Sequence, residues 1–277
     1  MPELPEIETV KRTLSPLLLG RRITKVSIHK AVVVAHPAPD EFAVWLTGAT
    51  IKGLGRRGKY LLFNIDSGDT LIAHLRMTGR FLYTPGEKAL KPHTHVVFSL
   101  DNGKELRFSD VRRFGRLWLI AQGEEDTVSG IHKLGPEPLS KDVDAAYYKK
   151  KLAGRRINIK QGLLDQCVVA GLGNIYVDEA LFSAGIHPRC LTAELSDTKW
   201  QDLALTIPWV LQKAIENNGT TFRDYLDGQG NAGRNLPHLC AYGRSGQPCL
   251  HCGTTMERLV VAGRGTSFCP KCQKLNK

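Results

Sequence analysis

Two parts of the sequence carry residue types whose spacing indicates chemistry, and the clearer one lies near the C-terminal end. Cys249 and Cys252 form a Cys-x2-Cys pair, and Cys269 and Cys272 form a second pair after sixteen intervening residues. Two such pairs offer four thiolates to one ion in a closed tetrahedral site, which is typical of structural zinc. A redox role is less favoured, because neither pair lies in a thioredoxin-like β–α–β context. We therefore predict one structural Zn²⁺ ion.

The second part is the start of the chain, MPELPEIETV. Proline and early acids both suit the first turn of a helix, where free N–H groups and the positive dipole end lie. A chemical interpretation is also open, because removal of Met1 would leave Pro2 as a free secondary amine. The first ten residues do not decide between the two interpretations.

The composition indicates a globular protein with an anionic partner. The 277 residues include 42% hydrophobic and 23% charged residues, with a formal net charge of +11 and a pI near 9.4. Such a surplus of cations favours nucleic acid as the partner. An anionic membrane surface is the competitor, but no apolar stretch approaches the ~20 residues of a spanning helix. The acidic start does not resemble a secretory or transit signal, so we expect a cytoplasmic protein.

The elements that must position these residues follow from hydrophobic patterning. Helical spacing predicts a first helix over 5–19, and alternating runs separated by turn signals predict an antiparallel β-sandwich or flattened barrel over about 23–121. The Gly- and Pro-rich stretch 130–141 predicts a domain boundary. Helices are predicted at about 157–166, 174–184 and 196–217, followed by a long loop over 228–248.

Several arginine- and lysine-rich stretches have both a structural and a functional interpretation. KKKLAGRRINIK (149–160) carries six cations and no acid, which favours phosphate contact over a solvated helix face. In HLRMTGR and DVRRFGR, Met77 and Phe114 belong either to the core or to wedges that enter a base stack beside arginines. Arg264, at the tip of a predicted hairpin between the cysteine pairs, fits a phosphate contact and a solvated turn about equally.

The motifs together resemble one family. MPELPE, RRGKYLLF, HLRMTG, DVRRFG, LGPEPLS, LLDQCVVAGLGNIYVDEALFSAGIHP and the closing four-cysteine segment are similar, in order and spacing, to bacterial formamidopyrimidine-DNA glycosylases from residue 1 to about 273. The endonuclease VIII branch of the superfamily is less similar. The resemblance implies an α+β fold with an N-terminal antiparallel β-sandwich with flanking helices (1–131), a linker (132–140), a helix-two-turn-helix domain with a lesion lid loop (141–240) and a β-hairpin zinc finger (241–277).

The resemblance also implies an activity: excision of oxidised purines such as 8-oxoguanine and formamidopyrimidines, followed by strand cleavage through β- and δ-elimination. Pro2 matches the nucleophile that forms a Schiff base, and Glu3 matches the general acid/base, with Glu6 in support. Lys59 matches the proton donor associated with β-elimination. Arg264 matches the residue linked to δ-elimination and phosphate binding, which favours the functional interpretation of the hairpin tip.

The expected partner is damaged double-stranded DNA, bound by a nucleoid-associated monomer with no membrane contact. Met77, Arg112 and Phe114 match residues that fill the vacated duplex space. The positions that match DNA-backbone contacts are His93, Arg112, Arg155, Lys160 and Asn174, and the zinc ligands are Cys249, Cys252, Cys269 and Cys272. Thr78, Arg234 and Asn235 depart from the pattern of some relatives and leave the preferred base open.

Two alternatives belong to other functional classes. An oxidised-pyrimidine glycosylase of endonuclease VIII type would share the chemistry but not the substrate. A non-catalytic DNA-damage binding protein would need the positive charge and the finger, but none of Pro2, Glu3 and Lys59. The presence of all three residues argues against the binding protein.

Overall fold

The computed structural model describes residues 1–128 and 130–275, and the chain divides into two compact units. The first comprises Met1–His132 and Ile215–Leu236, and the second comprises Lys133–Ala214 and the chain from Pro237. Within the described ranges, no helix is both long enough and apolar enough to cross a membrane.

The first helix, α1 (Leu4–Leu18), matches the helix predicted over 5–19. Ile7, Val10 and Leu14 recur at helical spacing and are completely buried in the core of the first unit. Glu3 is the N-cap and forms a capping box with Glu6, with Pro5 in the first turn. The structural interpretation of the opening residues is therefore correct, and it leaves the chemical one intact.

Among the residues that the structure describes, nine strands form two sheets in the first unit. They are β1 (Ile23–Ile28), β2 (Val34–His36), β3 (Ile51–Arg57), β4 (Tyr60–Ile65), β5 (Thr70–His74), β6 (Gly79–Pro85), β7 (Thr94–Leu100), β8 (Lys104–Asp110) and β9 (Arg116–Ile120), with helix α2 (Pro39–Leu46) between β2 and β3. One sheet has the order β1-β7-β8-β6 and is antiparallel throughout. The other has the order β2-β9-β5-β4-β3. Its β2–β9 pair is parallel, which the predicted antiparallel sandwich did not include.

Aromatic packing joins the two sheets. Phe63 on β4 meets Phe81 on β6 edge-on at 5.3 Å between ring centroids, and Phe81 also packs on Phe108 of β8 at 5.2 Å. All three rings are buried. Aromatic pairs at such distances add to the stabilisation from area burial, so the strand ends are held on a rigid support.

The segment 215–236, which the sequence assigned to the helical domain, groups with the first unit. Its backbone reaches α1: Thr220 N–H donates to Glu6 Oε1 at 2.8 Å, and the Tyr225 hydroxyl donates to the Glu6 carbonyl at 3.3 Å. Gly219 has φ +76°, and a Cβ there would lie 2.9 Å from Glu6 Oε1. Glycine therefore permits both the turn and the close approach.

The second unit is mainly helical and ends in a β-hairpin. Its helices are α3 (Ala145–Leu152), α4 (Ile159–Leu164), α5 (Asn174–Ser183) and all but the last two residues of α6 (Asp197–Glu216), and its strands are β10 (Glu257–Val261) and β11 (Arg264–Phe268). The predicted linker is packed against this unit, because Gly135 N–H donates to the Gln166 carbonyl at 2.8 Å and the Pro136 carbonyl accepts from Ala170 at 3.0 Å.

Candidate functional site

The N-terminal segment holds two buried carboxylates, and one of them contacts the segment 215–236. Pro2 is buried, and Glu3 is only 3% exposed at the start of α1. Glu3 N–H donates to Glu6 Oε2 at 2.7 Å, while the other oxygen of the same carboxylate accepts from Thr220. Glu6 therefore links the start of α1 to the segment 215–236. The supporting role expected for Glu6 stays a prediction.

Lys59 lies in the turn between β3 and β4 and is buried. The preceding residue is fixed by Arg56, whose Nη1 donates to the Gly58 carbonyl at 3.1 Å. Arg56 Nε in turn donates to Glu8 Oε2 on α1 at 3.1 Å. The helix that begins beside Glu3 thus also holds the turn that carries Lys59.

His74 lies near Lys59 and is neutral. Burial, with the nearby cations Arg76 and Lys59, lowers the pKa of His74 to about 3. The neutral ring accepts Arg76 N–H at Nδ1, at 3.0 Å, and meets Tyr60 edge-on. The bond supports the left-handed backbone of Arg76 (φ +53°) immediately before Met77.

The ion pairs of Glu8 predict a pH dependence of stability. Burial would raise the pKa of Glu8, but hydrogen bonds from Lys11, Arg12 and Arg56 outweigh it and lower the pKa from 4.5 to about 2. The stabilisation is therefore present above pH 4.5 and is lost as pH falls toward 2, because the unfolded chain then binds the proton first. Urea unfolding should give the parent a higher free energy of unfolding than Glu8→Gln at pH 6, and this difference should be smaller at pH 3. The same difference at both pH values would contradict the lowered pKa of Glu8.

The four residues expected at the DNA surface of the first unit are exposed. Met77 and Phe114 expose 41% and 49% of their surface, and the Arg112 guanidinium lies over the Phe114 ring at 4.7 Å from its centroid. His93 is also exposed, with φ +66°. The core interpretation of Met77 and Phe114 is therefore wrong, and their role as wedges stays a prediction.

The finger hairpin presents Arg264 to solvent. Val261 and Arg264 are the last paired residues of β10 and β11, and Ala262 and Gly263 form the tight turn between them with positive φ. On the next residue, the Gly265 carbonyl accepts the Asn174 side-chain amide at 2.9 Å. The start of α5 thus holds the hairpin immediately beside its exposed arginine.

Lys160 requires a correction. It was expected to contact the DNA backbone, yet its side chain is 0% exposed, and Nζ donates to Asp178 Oδ1 at 2.6 Å and Thr266 Oγ1 at 2.7 Å. A fully buried ammonium does not reach a phosphate in this structure. Lys160 instead joins α4 and α5 to β11, next to the exposed Arg264.

Removal of the Lys160 charge should be strongly destabilising, because Asp178 would remain as a buried unpaired carboxylate. Lys160→Met is expected to cost about 3–5 kcal/mol of unfolding free energy. The double variant Lys160→Met with Asp178→Asn should recover much of that loss, since the uncompensated charge is then gone. Urea unfolding measures both. A double variant no more stable than the single one would contradict this ion-pair account.

Two further residues expected at phosphates, Arg155 and Asn174, form hydrogen bonds with other protein groups. Arg155 is exposed, but Nη1 donates to Asp165 Oδ2 at 3.0 Å. Asn174 is half-buried, and within the described part of the chain its Oδ1 has no hydrogen-bond partner. Contact of Arg155 and Asn174 with phosphates stays a prediction.

The four cysteines lie together as the spacing predicted. Their Sγ atoms are all within 4.8 Å of one another, with Cys252 and Cys269 at 3.5 Å and Cys249 and Cys272 at 3.9 Å. A tetrahedral zinc with Zn–S bonds of about 2.3 Å requires sulfur separations near 3.8 Å, so the donor set fits one Zn²⁺.

Sequence reasoning missed the buried acids that organise these residues. Asp178 and Glu179 are adjacent on α5, and the Glu179 carboxylate accepts three backbone N–H groups of residues 240–242 at 2.8 Å each. In the first unit, Asp110 accepts the backbone N–H of Gly115, and Glu8 accepts the side chain of Arg56. The available signal was an acid within a largely apolar stretch of a cationic protein, as in VDEALF.

Sequence comparison identifies all three parts of the chain. The profile of the formamidopyrimidine-DNA glycosylase N-terminal domain matches residues 1–117, and the profile of the H2TH domain of the same enzyme matches 134–225. The zinc finger found in FPG and IleRS matches 246–275. The last match supports the assignment of zinc to the four cysteines.

Relatives cover nearly the full chain. Formamidopyrimidine-DNA glycosylase of Desulforamulus reducens is 50% identical over 275 residues, which is 99% of each protein, and that of Moorella thermoacetica is 52% identical over 94% of each. Lactococcus lactis Fpg in complex with abasic-site DNA is 38% identical and has a TM-score of 0.93, over 99% of this chain and 100% of that one. This chain therefore belongs to the formamidopyrimidine-DNA glycosylase family.

Proposed function

We propose that this DNA glycosylase excises oxidised purines, 8-oxoguanine and formamidopyrimidines, from duplex DNA and then cuts the strand at the resulting abasic site. The observation that carries the proposal is the position of the buried Pro2 directly before the buried Glu3, which is the N-cap of α1. Similar Lactococcus lactis proteins have been solved with Fapy-dG containing DNA and with abasic-site DNA. A purine-derived lesion is therefore the substrate class we assign.

The chemistry begins at the Pro2 nitrogen after removal of Met1. An α-amine has a pKa of roughly 8, so a useful fraction is neutral near pH 7. The nitrogen lone pair attacks C1′ of the damaged nucleotide, and the base departs with the electrons of the glycosidic bond. The proton that the amine nitrogen loses passes to the departing base. Opening of the sugar ring then gives an iminium ion, because the amine is secondary. The positive centre acidifies the neighbouring sugar proton, and its removal expels the 3′ phosphate.

Glu3 and Lys59 supply the proton transfers. The buried Glu3 carboxyl protonates the ring oxygen as the C1′–O4′ bond breaks, which is a general-acid step. Lys59 lies in the turn that the Arg56–Glu8 ion pair holds, and it is the proton donor associated with the β-elimination. Arg264, exposed at the hairpin tip, binds the phosphate that leaves in the δ-elimination.

Zinc has a structural role in this scheme. The four cysteines bind one zinc ion, which closes the finger that contains β10 and β11. When bound, the ion supplies folding energy and no open coordination position for catalysis. The cysteines thereby keep Arg264 at the end of an ordered hairpin.

A panel of lesions tests the proposed substrate. Matched duplexes should carry 8-oxoguanine opposite cytosine, a formamidopyrimidine opposite cytosine, an oxidised pyrimidine, or no damage. We expect single-turnover excision to be fastest for the two purine lesions and absent for undamaged DNA, with Glu3→Gln as a catalytic control. Faster excision of the oxidised pyrimidine would assign an endonuclease VIII type specificity instead. Binding without excision of any lesion would support the non-catalytic alternative.

Binding should also weaken steeply with salt. Arg112, Arg155 and Arg264 are exposed and expected at phosphates. Each phosphate contact contributes about −0.9 to the slope of log K against log salt, so these three predict a slope of about −3 or steeper. Fluorescence anisotropy with an abasic-analogue duplex, between about 50 and 200 mM salt, measures this slope. A flat dependence would contradict the phosphate contacts.

A further inference from the structure

Asp110, at the end of β8, accepts hydrogen bonds from both loops that carry the exposed apolar residues. Its carboxylate is buried, at 1% exposure, and Oδ1 accepts the Thr78 hydroxyl and also Arg112 N–H at 3.1 Å. Oδ2 accepts Gly115 N–H at 2.7 Å. Thr78 directly follows Met77, and Gly115 directly follows Phe114. One side chain therefore fixes the backbone beside each apolar residue.

The main chain of Asp110 extends the same network to a third loop. Its N–H donates to the His93 carbonyl at 3.0 Å, and its carbonyl accepts His95 Nε2 at 2.7 Å. His93 is the exposed residue expected at a phosphate. The loops around Met77, His93 and Phe114 thus share one buried anchor.

The loops around Asp110 have little freedom to move separately. A Cβ on Gly115 would lie 2.7 Å from the Phe108 ring and 3.1 Å from Asp110 Oδ2, so glycine is required for the close approach. Arg112 N–H is shared between Asp110 Oδ1 and Thr78 Oγ1, the latter at 3.1 Å. A bond shared in this way couples the position of one loop to that of the other.

We propose that Asp110 is a positioning residue that holds Met77, Arg112 and Phe114 at a fixed mutual spacing, so that they enter the duplex together when the damaged nucleotide is extruded. The proposal rests on the proposed function. The Thr78 hydroxyl, Arg112 N–H and Gly115 N–H all donate to this side chain, so both of its terminal atoms must be acceptors. Asparagine has the same size, but its NH₂ group faces a donor in either orientation, so Asp110→Asn breaks one side of the network without a change of volume.

The test compares two substrates. Excision of 8-oxoguanine from a duplex requires the three inserted side chains, whereas borohydride trapping on a single-stranded abasic oligonucleotide has no opposite strand to displace. We expect Asp110→Asn to reduce duplex excision by up to about 10²-fold, the scale of an ångström-level misplacement. Trapping on the single strand should be unchanged. A fluorescent cytosine analogue opposite the lesion should report weaker unstacking in the variant.

Two sets of controls keep the result interpretable. Asp101→Asn changes a half-exposed aspartate at the end of the neighbouring strand, 3.7 Å from Arg21, and should leave both substrates unaffected. Thr78→Val should reproduce the selective loss, and Thr78→Ser, which keeps the hydroxyl, should restore duplex excision, even if Asp110→Asn folds poorly. Equal loss on both substrates, or no loss on the duplex, would overturn the positioning role. Failure of the parent protein to cross-link to abasic DNA would instead refute the proposed function.

Discussion

An uncut N-terminal extension should abolish both base excision and strand cleavage, because the nitrogen of Pro2 is then an amide without a basic lone pair. Loss of a covalent nucleophile costs at least about 10³-fold in turnover. DNA binding should persist, since the exposed residues His93, Arg112 and Arg264 lie elsewhere in the sequence. The measurement is single-turnover excision of 8-oxoguanine, with anisotropy on an abasic-analogue duplex.

The matched control is the same extended protein after proteolytic removal of the extension to expose Pro2. Activity should return with cleavage and rise in proportion to the fraction of free proline measured by mass spectrometry. Full activity of the uncut form would contradict the Pro2 assignment. Activity of the uncut form that is lost with Lys59→Ala would identify a lysine nucleophile.

Removal of zinc should unfold the finger and strongly weaken DNA binding. Over the described part of the finger, the small buried cluster contains, besides cysteines, Ala241 and Met256, with Phe182 of α5 packed against it. Structural zinc contributes about 10–16 kcal/mol of apparent binding energy in zinc-finger peptides, which this cluster does not replace. Loss of an ordered Arg264–phosphate contact should weaken affinity roughly 10- to 100-fold, on the scale of a charge-assisted hydrogen bond.

The zinc experiment uses verified metal-free protein and the variant Cys252→Ser, with Cys167→Ser as the control. Cys167 is exposed and lies outside the four-cysteine cluster, so its replacement should affect neither zinc content nor affinity. Unchanged affinity in metal-free protein would contradict the role of the finger.

Local patterns predicted the elements well. The helices expected at 174–184 and 196–217 are Asn174–Ser183 and Asp197–Glu216, because apolar spacing and turn residues are local signals. The two Cys-x2-Cys pairs likewise predicted their own geometry, since each knuckle is built from neighbouring residues. Features that depend on neighbouring residues, such as these helices and the two cysteine pairs, could therefore be predicted from the sequence.

Long-range polar pairing could not be predicted in the same way. Lys160 lies in a stretch without acids and was expected at the surface, but its partners are Asp178 and Thr266, which follow 18 and 106 residues later. The hydrogen bond between Thr220 and Glu6 spans 214 residues, and it joins the segment 215–236 to α1 within the first unit. A cation in a basic run predicts phosphate contact only when the fold leaves it exposed.

The central claim is amine catalysis at Pro2, and borohydride trapping tests it most directly. The protein with a free N-terminal proline is incubated with a duplex that carries one 8-oxoguanine opposite cytosine, reduced, digested and mapped by mass spectrometry. The account predicts one reduced cross-link, on the nitrogen of Pro2, that joins the chain to C1′ of the damaged nucleotide. A cross-link mapped to Lys59, or none with either 8-oxoguanine or an abasic site, would contradict it.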